Sequence, residues 1–189
     1  WPFERQALVK LRAIAGDRSL GDQLESLRDE WVYSDSEFDV AAMRAMRERQ
    51  VRQLVRAGTF NAKLSPGGLV DVEYLVQGWQ LENGQQFPGV RTTNTLEAID
   101  ALQGAGVLDD ASRTTLREAY VFHRRLIDAL RVVRGDARDL TVPSRDAPEF
   151  IFLARRLDIE GSPDRLAAAI DQHAALIEEM SAQRDPSGS

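Results

Sequence analysis

The 189-residue sequence has no cysteine, only two histidines (His123 and His173) and only two lysines (Lys10 and Lys63). The first absence excludes disulfides and thiolate metal sites, and two imidazoles are too few for a histidine-built zinc centre. Every apolar run falls short of the roughly 20 residues that a membrane span needs. The opening WPFERQALVK carries charge where a signal peptide has its apolar stretch. A cytoplasmic protein with no membrane partner is therefore expected. Basic residues do not outnumber acidic ones either: the net charge is −6, so the broad electrostatic footprint of a nucleic-acid binder is missing and no nucleic-acid partner is expected. No segment alternates with period two for long enough to make a strand, and there is no internal repeat.

What remains is 43% hydrophobic sequence, enough for one substantial core or two small ones, arranged with helical spacing nearly throughout. The expected fold class is all-α, a bundle of about seven to eight helices spanning residues 1–184, with 185–189 a disordered tail. Trp1, Phe3, Ala7, Leu8, Leu11 and Ile14 predict a first helix reaching Gly16. The chain then begins inside or at the edge of a helix, as a domain cut from a longer protein would. Ser19 with Asp22 predicts the start of a second helix ending near Tyr33. Ser36 with Asp39 opens a third, running with Met43, Met46, Val51 and Leu54 toward Gly58. Its arginines, at 44, 47, 49, 52 and 56, read as a solvated face. A fourth helix over Leu69–Asn83 is apolar on most sides, as in the middle of a bundle. Asn94 with Glu97 caps a fifth, Asp109 or Asp110 opens the longest, to Val133, Asp146 with Glu149 caps a short one, and Ser162-Pro163 opens the last.

The segment KLSPGGLVDVEYLVQ (63–77) stands apart. Ser65-Pro66 signals a helix start, and Gly67 and Gly68 follow within its first turn. Two glycines there weaken a helix by roughly 1 kcal/mol each relative to alanine, which asks for a reason. One reason is a set of bare N–H groups that attracts an anion, with Lys63 adding a point charge. The other is close approach of a second helix. Asp71 and Glu73 lie about 200 degrees apart on the helix and cannot chelate one ion together. In so apolar a helix each needs a partner, expected to be an arginine; the two either fix the bundle or turn one carboxylate into a cleft. His123, on the apolar face of the longest helix, reads as a hydrogen-bonded core residue. Arg124, Arg125, Arg131 and Arg134 are candidates for contact with a nucleotide or a neighbouring domain.

KLSPGGLVDVEYLVQ resembles the K-x-x-x-G-G-[IL]-x-[DE]-[IV]-E-[FY]-x-V-Q signature of glutamine synthetase adenylyltransferases. ERQALVKLRAIAGD (4–17), RTTNTLEAIDAL (91–102) and the stretch from EAYVFHRRLIDALRV through DLTVP to FIFLARRLDI agree with that family in order. The resemblance implies a helical accessory domain following a nucleotidyltransferase domain, in an enzyme that transfers AMP from ATP to glutamine synthetase and removes it again. Its implied cofactors are ATP and Mg²⁺, the metal held by a Gly-Ser…Asp-x-Asp motif that this sequence lacks. The chain alone is then expected to be inert, with no catalytic or metal-binding residue. Its implied partners are the transferase domain, glutamine synthetase and the PII signalling protein. The implied nucleotide-facing residues are Lys63, Gly67 and Gly68, with Asp71 or Glu73 organising the turn. Val70 stands where many relatives carry arginine, and Tyr74 replaces phenylalanine. The alternatives are the matching domain of a PII uridylyltransferase and a pure protein-interaction bundle.

Overall fold

A computed structural model describes residues 2–34, 39–136, 138–158 and 163–184. These hold eight α-helices: α1 (Pro2–Leu8), α2 (Arg18–Val32), α3 (Val40–Leu54), α4 (Leu69–Asn83), α5 (Thr95–Gly104), α6 (Asp110–Arg134), α7 (Pro148–Arg156) and α8 (Pro163–Gln183). A 3-10 turn covers Pro88–Val90 within the loop after α4. No strand occurs among the described residues, in keeping with the all-α expectation. The chain divides into two compact units, one of Trp1–Glu48 with Glu73–Thr114, the other of Arg49–Val72 with Thr115–Ser189.

In the first unit, Val9, Val32, Tyr33, Met43 and Leu81 form a buried cluster flanked by Leu8, Val40 and Tyr74. Polar side chains tie it together. The Arg5 guanidinium donates twice to the Val32 carbonyl, at 2.8 and 3.1 Å, and Gln6 Nε2 donates to Gln77 Oε1 at 3.0 Å. The first helix stops at Leu8, short of the predicted Gly16. The Val9 and Leu11 N–H groups bond three residues back, a tightened last turn in which the α-helical ladder closes, and beyond it the Leu11 carbonyl accepts from Arg28. Ile14, predicted on the apolar stripe, is 86% exposed. α2 is capped by Asp17, whose carboxylate accepts from Leu20 N, rather than by Ser19. At α3 the Asp39 carboxylate accepts from Ala42 N at 2.8 Å, while Ser36 lies outside the described residues. Arg47, expected in solvent, is buried beside Met43 on the inner face of α3. Asn94 caps α5 as expected, accepting from Leu96 N and Glu97 N. The Glu97 carboxylate accepts from Thr92 Oγ1 and Asn94 Nδ2 rather than from the Asn94 backbone.

The second unit has the larger cluster. Leu126, Ile127 and Leu130 of α6 meet Phe150 and Leu153 of α7, Leu166 and Ile170 of α8, and Ala62, Leu69 and Leu140. Asp109 caps α6 through Ser112 N. α7 starts on Pro148 with Ala147 as its cap and no side-chain hydrogen bond, so the predicted Asp146–Glu149 cap is not made. Proline at the first helical position needs none, because its missing N–H is one of the orphans. Ser162 and the tail 185–189 lie outside the described residues. Of the candidate arginines of α6, Arg125 Nη2 donates to the Leu157 carbonyl, Arg131 pairs with Asp128 and Arg134 with Asp139, while Arg124 is exposed.

Candidate functional site

α4 spans Leu69–Asn83, the predicted bounds, but its approach differs from the expectation. Gly67 and Gly68 precede the helix instead of lying inside its first turn. The turn is built by side chains upstream. Asn61 Oδ1 accepts from the Lys63 and Leu64 N–H groups at 3.1 and 3.0 Å, and Ser65 Oγ accepts from Asn61 N at 2.7 Å. Asn61 also bridges antiparallel to Thr141, with Ala62 N donating to the Leu140 carbonyl and Val142 N to that of Phe60. Ser65 was expected at a helix start and instead closes this turn; Asn61 was not singled out in the sequence, although an asparagine in a loop is a recognisable turn former.

Gly67 has φ +69°, and an added Cβ would lie 2.3 Å from the Ala174 carbonyl oxygen of α8. Both the left-handed conformation and the lack of space therefore require glycine. Of the two explanations for the glycine pair, close approach of another helix is the one seen at Gly67. The expectation of bare N–H groups at the helix start is not met. Gly67 N donates to Asp71 Oδ2 at 2.8 Å, Gly68 N to Ser65 O, Leu69 N to Ala62 O, Val70 N to Lys63 O and Asp71 N to Gly68 O. The sharp turn folds its own acceptors back over the orphan donors. Lys63 is exposed on this turn, and its ammonium has no partner among the described residues.

Asp71 and Glu73 are not brought together. Asp71 holds the turn through Gly67 N–H and faces Glu178 of α8, whose carboxyl is pushed up first by burial and then by the Asp71 charge. Glu73 Oε1 pairs with Lys10 Nζ at 2.7 Å rather than with an arginine, and the same ammonium donates to Thr95 Oγ1 at 3.1 Å. Gln77 accepts from Gln6, and the buried Gln80 donates to the Val90 and Thr92 carbonyls at 2.6 and 2.8 Å. Glu73, Gln77 and Gln80 are thus three tethers on one side of the helix.

Residues 41–184 match a family model described as GlnD PII-uridylyltransferase. The chain is 37% identical over 161 residues to the bifunctional glutamine synthetase adenylyltransferase/adenylyl-removing enzyme of Streptomyces coelicolor, an alignment covering 82% of this chain and 16% of that relative. The enzyme of the same description in Mycobacterium leprae is 34% identical over 73% of this chain and 14% of its own length. The chain belongs to the glutamine synthetase adenylyltransferase family. It spans about one-sixth of the length of these adenylyltransferases.

Within this adenylyltransferase-family chain, a magnesium ion would need several converging oxygen ligands. No group of three or more His, Cys, Asp or Glu side chains able to hold a metal lies among the described residues. Asp71 is engaged by a backbone N–H and Glu73 by Lys10, so these carboxylates do not fit a magnesium site.

His123 is fully buried against the same turn. Its ring lies edge-on to Phe122 at 5.5 Å and 6.4 Å from His173 of α8, which stacks on Phe122 at 4.4 Å. The Gly67 backbone lies close enough to favour the charged ring, yet neither nitrogen reaches hydrogen-bond geometry. The expected core histidine is present, but aromatic edges rather than hydrogen bonds hold it. Burial, and then the His173 charge, pushes its imidazole down to about 4.

Proposed function

We propose that this domain is the helical accessory part of an enzyme that uses ATP and Mg²⁺ to adenylylate glutamine synthetase and removes the AMP again. The 37% identity to a bifunctional glutamine synthetase adenylyltransferase/adenylyl-removing enzyme carries the reading. In it, Lys63 faces the nucleotide phosphates from a turn that Asp71 and Gly67 hold rigid. A compact ammonium on a fixed backbone suits phosphate as a point charge. Gly68 contributes to the turn's close backbone spacing, and Glu73 fixes the helix body to Lys10. The metal ligands belong to a transferase domain elsewhere in the enzyme, because phosphoryl-type transfer rests on metal and charge positioning. The domain lines the nucleotide cleft and offers docking surface to glutamine synthetase, with PII as a regulatory partner, in the cytoplasm. No helix among the described residues is long and apolar enough to cross a membrane.

The test is a Lys63→Ala variant in the complete enzyme. The expected result is a rise in KM for ATP of about tenfold, equivalent to about 1.4 kcal/mol, with an unchanged melting temperature. Wild-type kinetics would remove Lys63 from the nucleotide site. The family model's own description favours one second reading, the equivalent domain of a PII uridylyltransferase. Transfer from UTP to PII, with none from ATP to glutamine synthetase, would select it.

A further inference from the structure

The core of the second unit is open on one side. Phe60 and Val142 pack against the large cluster but stay partly exposed, and with Phe150, Ala167 and Ile170 they floor a half-enclosed cleft of about 380 Å³. Every residue that lines it belongs to the second unit. Backbone fixes its walls. Val142 N donates to the Phe60 carbonyl at 2.7 Å and Ala62 N to that of Leu140 at 2.9 Å, so the segments at 58–60 and 142–145 are held at one separation. Pro143 stiffens the second segment by fixing its own φ. On α8, Ile170 and Asp171 lie three and four residues after Ala167, which places all three on one face of the helix.

The mouth of the cleft is charged. Arg145 Nη2 pairs with Asp171 Oδ2 at 2.8 Å across it, from side chains that are 62% and 68% exposed. An ion pair so open to water contributes little, so its partners can be exchanged at small cost. A concave apolar floor with a few polar groups at its edge is the usual form of a small-ligand site. Here the edge restricts the ligand. An amine alone would pair with Asp171 and leave Arg145 stripped beside a second cation. A carboxylate alone would take Arg145 and sit against the Asp171 charge. A zwitterion satisfies both: its carboxylate accepts from the Arg145 fork, its ammonium donates to Asp171, and one exposed pair becomes two. The rest of the ligand must be apolar. A polar side chain set on Phe60, Val142, Phe150 and Ile170 would lose its water and find no hydrogen bond from them.

We propose that this cleft binds a free α-amino acid with an apolar side chain, such as leucine or methionine, held by Arg145 at its carboxylate and by Asp171 at its ammonium. The site shares no residue with Lys63, Gly67, Gly68, Asp71 or Glu73 and is separate from the nucleotide reading of that turn. The ligand's side chain extends the core cluster outward through Phe60 and Val142. Its two charged ends tie the 142–145 segment to α8.

The experiment is an amide NMR titration of the 189-residue chain with leucine. Saturable shifts are expected at residues 58–60, 142–145 and 167–171, with a Kd of roughly 1 mM or tighter. Isocaproate and isoamylamine, which are leucine without its ammonium and without its carboxylate, should each bind at least about tenfold more weakly. Glutamate, whose side-chain carboxylate the floor would desolvate, should do the same. Arg145→Ala and Asp171→Ala should each weaken leucine about tenfold, and leave the melting temperature within about 2 °C of wild type because both side chains are exposed. No saturable shift at about 10 mM leucine or methionine overturns the proposal, as do shifts confined to other residues. Isocaproate or isoamylamine binding as tightly as leucine removes the zwitterion, glutamate doing so removes the apolar floor, and either result overturns it. No transfer is read out, so an enzyme that binds leucine here but transfers no AMP refutes the proposed activity and leaves this site standing.

Discussion

The start of α4 and its body are held by different chemistry. At the start, backbone carbonyls and the Asp71 carboxylate satisfy every N–H, and Gly67 lets the Ala174 backbone approach. Along the body, side chains reach outward: Glu73 to Lys10, Gln77 to Gln6 and Gln80 to two carbonyls. A turn of the first kind tolerates almost no change, because backbone geometry and close contact are fixed together. Of the tethers along the body, the Glu73–Lys10 ion pair is partly exposed and contributes little, whereas the Gln77 and Gln80 bonds are buried and leave a polar group stranded when cut.

Gly67→Ala tests the start most severely. It combines a left-handed φ with a backbone clash, and is expected to cost about 3–5 kcal/mol. Urea denaturation of the purified variant measures this, and a loss below about 1 kcal/mol would mean that α8 gives way easily. Acid is next in size. The His123 pKa of about 4 lies below its ordinary 6.5, so between those values the unfolded chain binds more protons and the folded state loses stability as pH falls. The full loss is on the order of 3 kcal/mol. His173, also pushed down by burial, adds to the loss, while Glu178, pushed up, opposes it. His123→Phe should flatten the stability profile between pH 6.5 and 4; an equally steep profile would move the effect to other groups.

The third test sets the two carboxylates against each other. Asp71→Ala leaves the Gly67 N–H without its acceptor and should cost about 2 kcal/mol. Glu73→Ala cuts a partly exposed pair and should cost less than about 1 kcal/mol. Equal losses in thermal unfolding would erase the distinction between the start and the body of the helix.

The sequence revealed most where the signal was local. The bounds of α4, the Asn94 cap and the start of α6 at Asp109 or Asp110 follow from short-range periodicity and capping, and the structure has them, with Asp109 as the cap and Asp110 the first helical residue. It misled where burial is decided by distant partners. The spacing of Leu11 and Ile14 continued a helix that stops at Leu8, after which the chain is held by Arg28 through the Leu11 carbonyl. Arg47 had the look of a solvated arginine and is buried. At the candidate site, the glycine pair was correctly marked as unusual. Its neighbour at Gly67, the backbone of Ala174, lies on another helix, and no pattern within 63–77 could name it.

The bridge between Asn61 and Thr141, with Ala62 hydrogen-bonded to Leu140, has a consequence for synthesis. The family signature reads as a local motif, yet its turn closes against chain made much later. As the polypeptide leaves the ribosome, α4 can coil early, but the turn before it has no edge to pair with until residues 140–142 emerge, and no wall behind Gly67 until α8 does. Loop closure over such separations is slow compared with helix formation. The most recognisable part of the sequence is therefore expected to be among the last to reach its final shape.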